Sequence, residues 1–128
     1  SLMTEWNLKN KKIKRSKEND LGATMRLGAY PCFIKKNSLA SKIYRKKMIS
    51  ERHRHRYEVN PKFKSIIERG DLIFSGFSKD KKLLEIVENK NHKWFLAVQY
   101  HPELKSKPFK PHPIFLSFIK NSLTHKNV

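Results

Sequence analysis

The apolar residues of this chain come in short blocks that are separated by charged residues and by turn-forming Asn, Gly and Pro. The blocks at residues 72–77 and 83–88 have the length and composition of single strands. The block at residues 94–100 is almost continuously apolar, which predicts a strand covered on both faces. Residues 24–34, broken by a glycine and a proline, predict one irregular strand or two short ones. Apolar clustering of this kind argues against a disordered chain.

Helix signals lie between these blocks. Asn37 or Ser38 can cap a helix whose apolar residues recur at helical spacing through residues 39–48. Asn60 can cap a second helix, which has a proline at its first position and ends at Gly70.

A third helix is predicted near the end of the chain, where Pro113 occupies the first helical position. The apolar side chains expected on its buried side are Ile114, Phe115, Phe118, Ile119 and Leu123. Because strands and helices alternate along the chain, we predict an α/β fold with a mixed sheet and flanking helices.

Composition narrows the classes of function. A length of 128 residues suits one domain with one core. The single cysteine, Cys32, excludes an internal disulfide, so we expect a reducing compartment and a cytoplasmic location. No apolar stretch approaches the ~20 residues of a membrane helix, and no secretory signal precedes the fold, so we expect no membrane partner. Since the chain begins at Ser1, we expect it to be part of a longer protein.

The net charge of +18 raises the hypothesis of a nucleic-acid partner. Lysines are spread along the whole chain, however, as on a solvated surface, and we therefore do not favour that hypothesis. Residues 7–20 are strongly charged and almost without apolar side chains, which predicts a mobile loop.

His101, Pro102 and Glu103 follow the predicted strand at residues 94–100. Sites in open α/β sheets lie beyond the carboxyl ends of strands. Two residues apart on an extended chain, His101 and Glu103 would point the same way. Glu103 could then orient the imidazole, leaving its second nitrogen as a base. Taken alone, this short pattern also fits a surface turn.

The string ERHRHRYEVN at residues 51–60 alternates arginines with His53, His55 and Tyr57, and residues 50–59 predict a strand or a strand-to-loop segment. Its basic face is open to three interpretations: phosphate contacts to nucleic acid, a zinc site at the two histidines, or an arginine that binds a substrate carboxylate. A zinc site would need a further Cys, His or carboxylate at metal-ligand spacing, which the two histidines do not have. Ion pairs with Glu51 or Glu58 are a structural alternative.

Four segments together closely resemble the class I glutamine amidotransferase domain of the CTP synthase family. They are GATMRLG at residues 22–28, ERHRHRYEVN at 51–60, VQYHPE at 98–103 and KPHP at 110–113. The similarity covers nearly the entire chain, and the 51–60 string is highly specific. The resemblance implies that residues 1–128 are the C-terminal part of a flavodoxin-like amidotransferase domain, and that the N-terminal half of that domain is not in this segment.

The resemblance implies roles for three residues. His101 and Glu103 match the histidine and glutamate of a Cys-His-Glu triad, and Arg56 matches the arginine that binds glutamine. It also implies that ammonia from glutamine is used, with ATP and magnesium, to aminate UTP in a separate synthase domain that this segment does not contain. No cofactor and no metal are expected in this segment, and the full-length protein is expected to be a homo-tetramer.

The family's nucleophilic cysteine stands in a G-x-C-x-G turn upstream of the segment that this chain matches. Cys32 has no flanking glycines, and we predict a buried structural thiol. The chain alone should therefore be inactive, and unstable without the upstream half. The alternative is a truncated, inactive remnant that acts as a binding or regulatory partner.

Overall fold

The computed structural model describes residues 3–6, 12–13 and 25–125. The charged loop predicted at residues 7–20 lies outside these residues, apart from the short strand Lys12–Ile13. The strands are β1 (Met3–Trp6), β2 (Lys12–Ile13), β3 (Arg26–Ile34), β4 (Met48–His55), β5 (Tyr57–Val59), β6 (Leu72–Phe77), β7 (Leu84–Asn89) and β8 (Leu96–Val98). The helices are α1 (Leu39–Tyr44), α2 (Lys64–Ile67) and α3 (Pro113–Thr124), with 3₁₀ turns at Pro61–Phe63 and Pro102–Leu104.

Five strands form the main sheet, in the order β4-β3-β6-β7-β8, and a smaller sheet has the order β2-β1-β5. With helices flanking these sheets, the predicted α/β class is confirmed. Every strand pairing in the described part of the chain is antiparallel, whereas the sequence predicted a mixed sheet. The connections explain this difference, because a parallel pair needs a crossover of a dozen or more residues and β6, β7 and β8 follow each other through short turns.

The main sheet curls so that its two ends approach each other. Beyond β8, the Gln99 N–H donates to the Glu85 carbonyl on β7, and the His101 N–H donates to the Arg52 carbonyl on edge strand β4, each over 3.0 Å or less. The core lies inside this curl. Its buried members are Cys32, Ile34, Ala40, Tyr44, Ile49, Ile86, Tyr100 and Ile114.

Helix α1 begins as predicted at Ser38, which forms a reciprocal capping box with Ser41. The buried Glu88 carboxylate on β7 accepts the N–H groups of Leu39 and Ala40, at 2.9 and 3.2 Å. The prediction that this helix extends to residue 48 is wrong. Arg45 adopts a left-handed conformation (φ 53°) that ends the helix, and the chain turns into β4.

The second predicted helix starts at its Asn60 cap, but as a 3₁₀ turn that is followed by the single turn α2. The strand predicted over residues 94–100 is reduced to β8, which pairs on one side only, with β7. Trp94 is instead drawn towards α3: its indole N–H donates to Ser117 (2.9 Å), and its ring packs against Phe118. This contact removes residue 94 from the sheet.

Helix α3 begins at Pro113, as predicted, and the His112 side chain accepts the Ile114 N–H as its cap. Only Ile114 is buried, so the predicted buried side is largely wrong. The other four side chains predicted on that side are each at least 38% exposed: Phe115, Phe118, Ile119 and Leu123. None of the helices in the described residues is long and apolar enough to cross a membrane.

Candidate active site

His101 and Glu103 lie where the chain leaves β8 and reaches the edge of β4. His101 is the residue before the 3₁₀ turn Pro102–Leu104, and its backbone is held by the Arg52 carbonyl. Its Nδ1 lies 2.7 Å from Oε1 of Glu103. Both side chains are accessible, with 39% of His101 and 58% of Glu103 exposed. The two side chains predicted to act together are therefore in hydrogen-bond contact at the surface.

The hydrogen bond fixes which nitrogen of His101 is available. The bond from His101 lowers the pKa of the Glu103 carboxyl, which is therefore ionised at neutral pH and can only accept. Nδ1 must carry the proton, and Nε2 of the neutral imidazole keeps its lone pair. This orientation is lost as the pH falls through the lowered pKa of Glu103. Because both side chains are exposed, their hydrogen bond orients the imidazole but contributes little to the stability of the fold.

A buried hydrogen-bond network holds Tyr100, the residue before His101. The His112 Nδ1 accepts the Ile114 N–H, so its Nε2–H donates to Glu51 at 2.7 Å. The Tyr44 hydroxyl also donates to Glu51 (3.1 Å), which leaves Tyr100 as the donor to the Tyr44 oxygen, at 2.8 Å. Burial raises the pKa of both tyrosines, so these hydroxyls keep their protons.

Arg56, the predicted glutamine-binding residue, is exposed at the bend between β4 and β5. It follows Arg52 by four residues, one position after the end of β4. The same strand thus anchors the His101 backbone and leads to Arg56. The arginines of β4, Arg52 and Arg54, are also exposed, as the alternation predicted.

Cys32 lies on β3 with no exposed surface, as predicted for a structural thiol. Burial raises its pKa to about 12. The thiol is therefore protonated at neutral pH, whereas a nucleophilic cysteine reacts as the thiolate. Its position in the core does not fit a role in attack on a substrate.

His53 and His55, considered as zinc ligands, contact each other instead: Nδ1 of His53 lies 2.8 Å from Nε2 of His55. Among the described residues, no group of three or more His, Cys, Asp or Glu side chains is arranged to hold a metal ion. Sequence reasoning missed that the inward face of β4 is polar, with Glu51 and His53 each only 1% exposed. The signal was available in the alternation, since a strand whose arginines face outward must turn these groups into the core.

Ion pairs of Glu51 and Glu58 with the arginines of the string are the structural alternative to a binding role. Glu51 instead contacts His112 and, at 4.0 Å, Lys105. Glu58 forms a buried ion pair with Arg26, at 3.1 Å. Both acidic residues thus bind groups from other parts of the chain, and Oε1 of Glu58 also lies 3.5 Å from Nδ1 of His55 within the string.

The fold and the site agree with one class of protein. The sequence model for class I glutamine amidotransferases matches residues 6–121, and the chain belongs to this family.

Within the family, the chain is similar to CTP synthases. It is 58% identical to the CTP synthase of Pelagibacter ubique over 125 residues, which cover 98% of this chain and 23% of that protein. It is 53% identical to the CTP synthase of Zymomonas mobilis over 122 residues, or 95% of this chain and 22% of that protein. The chain thus spans about a quarter of the length of the curated relatives that it matches.

A solved structure gives the same result. The glutaminase domain of Trypanosoma brucei CTPS with bound acivicin superimposes with a TM-score of 0.77 at 38% identity. The match covers 87% of this chain and 44% of that domain chain. The described fold is therefore part of a glutaminase domain of the CTP synthase type.

Proposed function

We propose that this chain is the C-terminal part of the glutaminase site of a CTP synthase, to which it contributes His101, Glu103 and Arg56. The observation that carries the proposal is the 2.7 Å contact between His101 and Glu103, which orients an accessible imidazole. The similarity to CTP synthases along nearly the whole chain supports it. Glutamine is the proposed substrate.

The chemistry assigns one task to each residue. His101 Nε2 takes the proton of a cysteine thiol, and the thiolate attacks the side-chain amide carbon of glutamine; the C–N bond breaks, the same proton leaves with ammonia, and a thioester remains. His101 Nε2 then takes a proton from the water that attacks the thioester, the C–S bond breaks to release glutamate, and the proton returns to the cysteine sulfur. Glu103 keeps the imidazole oriented and stabilises its charged form. The Arg56 guanidinium binds the α-carboxylate of glutamine.

The nucleophile of this scheme comes from outside this chain. Cys32 is the single cysteine of the sequence and is buried. We propose that the thiolate belongs to an upstream half of the amidotransferase domain, and that the 128-residue chain alone does not hydrolyse glutamine.

The remaining steps belong to the whole protein, for which we propose a cytoplasmic homo-tetramer that aminates UTP. ATP and magnesium are assigned to the synthase domain. Among the described residues, no cluster is suited to a metal ion.

A chimera tests the proposal. The chain would replace the corresponding segment of the Pelagibacter ubique CTP synthase, and ammonia release from glutamine would be measured. We expect hydrolysis in the chimera and a loss of at least about 100-fold in kcat for His101→Ala, because general acid–base catalysis contributes about that much or more. His125→Ala, the same change at the exposed end of α3, is the matched control and should retain full activity. A folded chimera without hydrolysis would contradict the proposal and favour an inactive remnant.

A further inference from the structure

The segment that follows the 3₁₀ turn Pro102–Leu104 folds back onto that turn. The Ser106 N–H donates to the Pro102 carbonyl at 3.1 Å, and the Ser106 hydroxyl oxygen accepts the backbone N–H of His112 at 3.0 Å. His112 is therefore connected, through two hydrogen bonds, to the turn that follows His101. The residue that begins helix α3 and the turn at the candidate site form one hydrogen-bonded unit.

Strand β4 holds the same turn at both of its ends. Before the turn, the His101 N–H donates to the Arg52 carbonyl at 2.9 Å. After the turn, the Lys105 ammonium donates to the Ser50 carbonyl. Glu51 lies between these two acceptors, and its side chain is buried, with 1% exposed. The turn is thus fixed to the strand on either side of Glu51.

One oxygen of the Glu51 side chain joins the groups around the turn. Oε1 accepts from Nε2–H of His112 at 2.7 Å and from the Tyr44 hydroxyl at 3.1 Å. The Tyr44 oxygen lies 2.8 Å from the Tyr100 hydroxyl, and the Lys105 ammonium is 4.0 Å from Oε1 of Glu51. Groups from both ends of the segment that contains the turn therefore converge on one atom of β4.

The state of the His112 ring follows from its two hydrogen bonds. Nδ1 accepts the Ile114 N–H at 3.2 Å as the cap of α3. A backbone N–H can only donate, so Nδ1 carries no proton, and the proton of the ring is on Nε2. A proton on both nitrogens would place two donors against each other at the cap. The geometry therefore requires a neutral ring that donates to Glu51.

Capping alone does not account for His112. The ring is 3% exposed and packs edge-on against the Tyr44 ring, with centroids 5.7 Å apart, so both of its nitrogens are used inside the core. A cap needs only an acceptor at the position of Nδ1, and Asn, Asp or Ser supplies that acceptor at least as well. The contact from Nε2–H to Glu51 is the feature that requires an imidazole.

We propose that His112 is a positioning residue for His101. By donating Nε2–H to Glu51, it holds the turn that carries Glu103 and orients His101 against β4, while Nδ1 caps α3. The catalytic consequence rests on the proposed function, whereas the hydrogen-bond geometry does not. Because a displacement of about 1 Å can lower the rate about 100-fold even when the mutation lies far from the chemistry, loss of this bond should be seen in kcat.

Two amide variants of the chimera separate the two hydrogen bonds of His112. His112→Asn places an oxygen near the position of Nδ1 and keeps the cap, but none of its atoms reaches Glu51. His112→Gln extends an amide N–H to near the position of Nε2 and keeps the contact to Glu51, while the cap is lost. If His112 only capped α3, Gln would be the more harmful change. If His112 positions His101, Asn is.

Glutamine kinetics of the two variants give the first readout. His112→Asn should lower kcat for ammonia release about 10- to 100-fold and leave KM within about twofold, because the turn carries the proton-transferring group and not the proposed substrate-binding Arg56. His112→Gln should restore most of kcat. His125→Asn, the same change at the exposed end of α3, is the matched control and should retain full activity. An unchanged kcat in His112→Asn, equal losses in the two His112 variants, or unfolding of His112→Asn would overturn the positioning role.

Nitrogen-15 NMR of the histidine rings at alkaline pH gives a readout that does not need activity. We expect the proton of His112 on Nε2 and that of His101 on Nδ1, facing Glu103. In His112→Asn, the His101 ring should shift towards the tautomer with its proton on Nε2, whereas in His112→Gln it should not. A proton on Nδ1 of His112, or an unchanged His101 ring in His112→Asn, would overturn the proposal. If the unmodified chimera were inactive, the proposed function would fail, while these spectra would still decide whether His112 positions His101.

Discussion

At the scale of single residues, a backbone turn and not an extended strand brings His101 and Glu103 into contact. His101 has φ −110° and ψ 86°, and Pro102 begins a 3₁₀ turn. This turn also brings the residues at i and i+2 together, so the predicted pair forms by a different backbone path.

The buried polar groups of β4 are the part of the site that sequence reasoning did not find. Alternation predicts which side of a strand faces inward, and it separated the arginines correctly from the histidines. The partner of Glu51 on β4 comes from 61 residues away, at His112. Such contacts follow from the curl of the sheet, which no local pattern encodes.

Arg56→Ala in the chimera should raise KM for glutamine by about 30- to 150-fold with a smaller effect on kcat. The reason is the loss of a charge-assisted, two-pronged contact to the substrate carboxylate, worth about 2–3 kcal/mol. Arg54→Ala, two residues earlier on β4 and also exposed, is the matched control and should leave KM within about twofold. Equal effects of the two changes would indicate a general loss of positive charge rather than a specific contact.

At the scale of elements, local signals predicted starting points better than lengths. Ser38, Asn60 and Pro113 each begin the predicted turn or helix, because capping and the fixed φ of proline are properties of a few adjacent residues. β6 coincides with the predicted block at residues 72–77. Lengths depend on tertiary contacts: β8 is short because Trp94 packs on α3, and α1 is short because Arg45 ends it.

The pairing of β6 with β7 gives a test of packing. A Cβ on Gly76 would overlap the buried side chain of Ile86, whereas a Cβ on Gly70 would have no neighbour within 4 Å. Gly76→Ala should therefore lower the free energy of unfolding by about 1–3 kcal/mol, the usual cost of overpacking. Gly70→Ala is the control and should change it by less than about 1 kcal/mol. Urea denaturation of the chimera measures both, and similar values for the two variants would contradict the described packing of β6 on β7.

At the scale of the whole molecule, the fold leaves a large apolar surface open. Phe118, Ile119 and Leu123 on α3 are each at least half exposed, and Leu27 and Met48 on the main sheet are as well. An open groove of about 570 Å³ runs between α1 and α3, lined in part by Ile43 and Leu116. Large apolar side chains exposed on α3 and on the main sheet are expected where another part of a domain packs. This exposure agrees with a chain that spans only 44% of the matched glutaminase domain chain.

Ammonia release from glutamine tests the central claim most directly. It would be measured for the 128-residue chain alone, for a separately expressed upstream half of the Pelagibacter ubique glutaminase domain, and for the two mixed. We expect no release from either part, release from the mixture, and loss of that release when the chain carries His101→Ala. Release by the chain alone that His101→Ala abolishes would contradict the claim that its nucleophile comes from another segment.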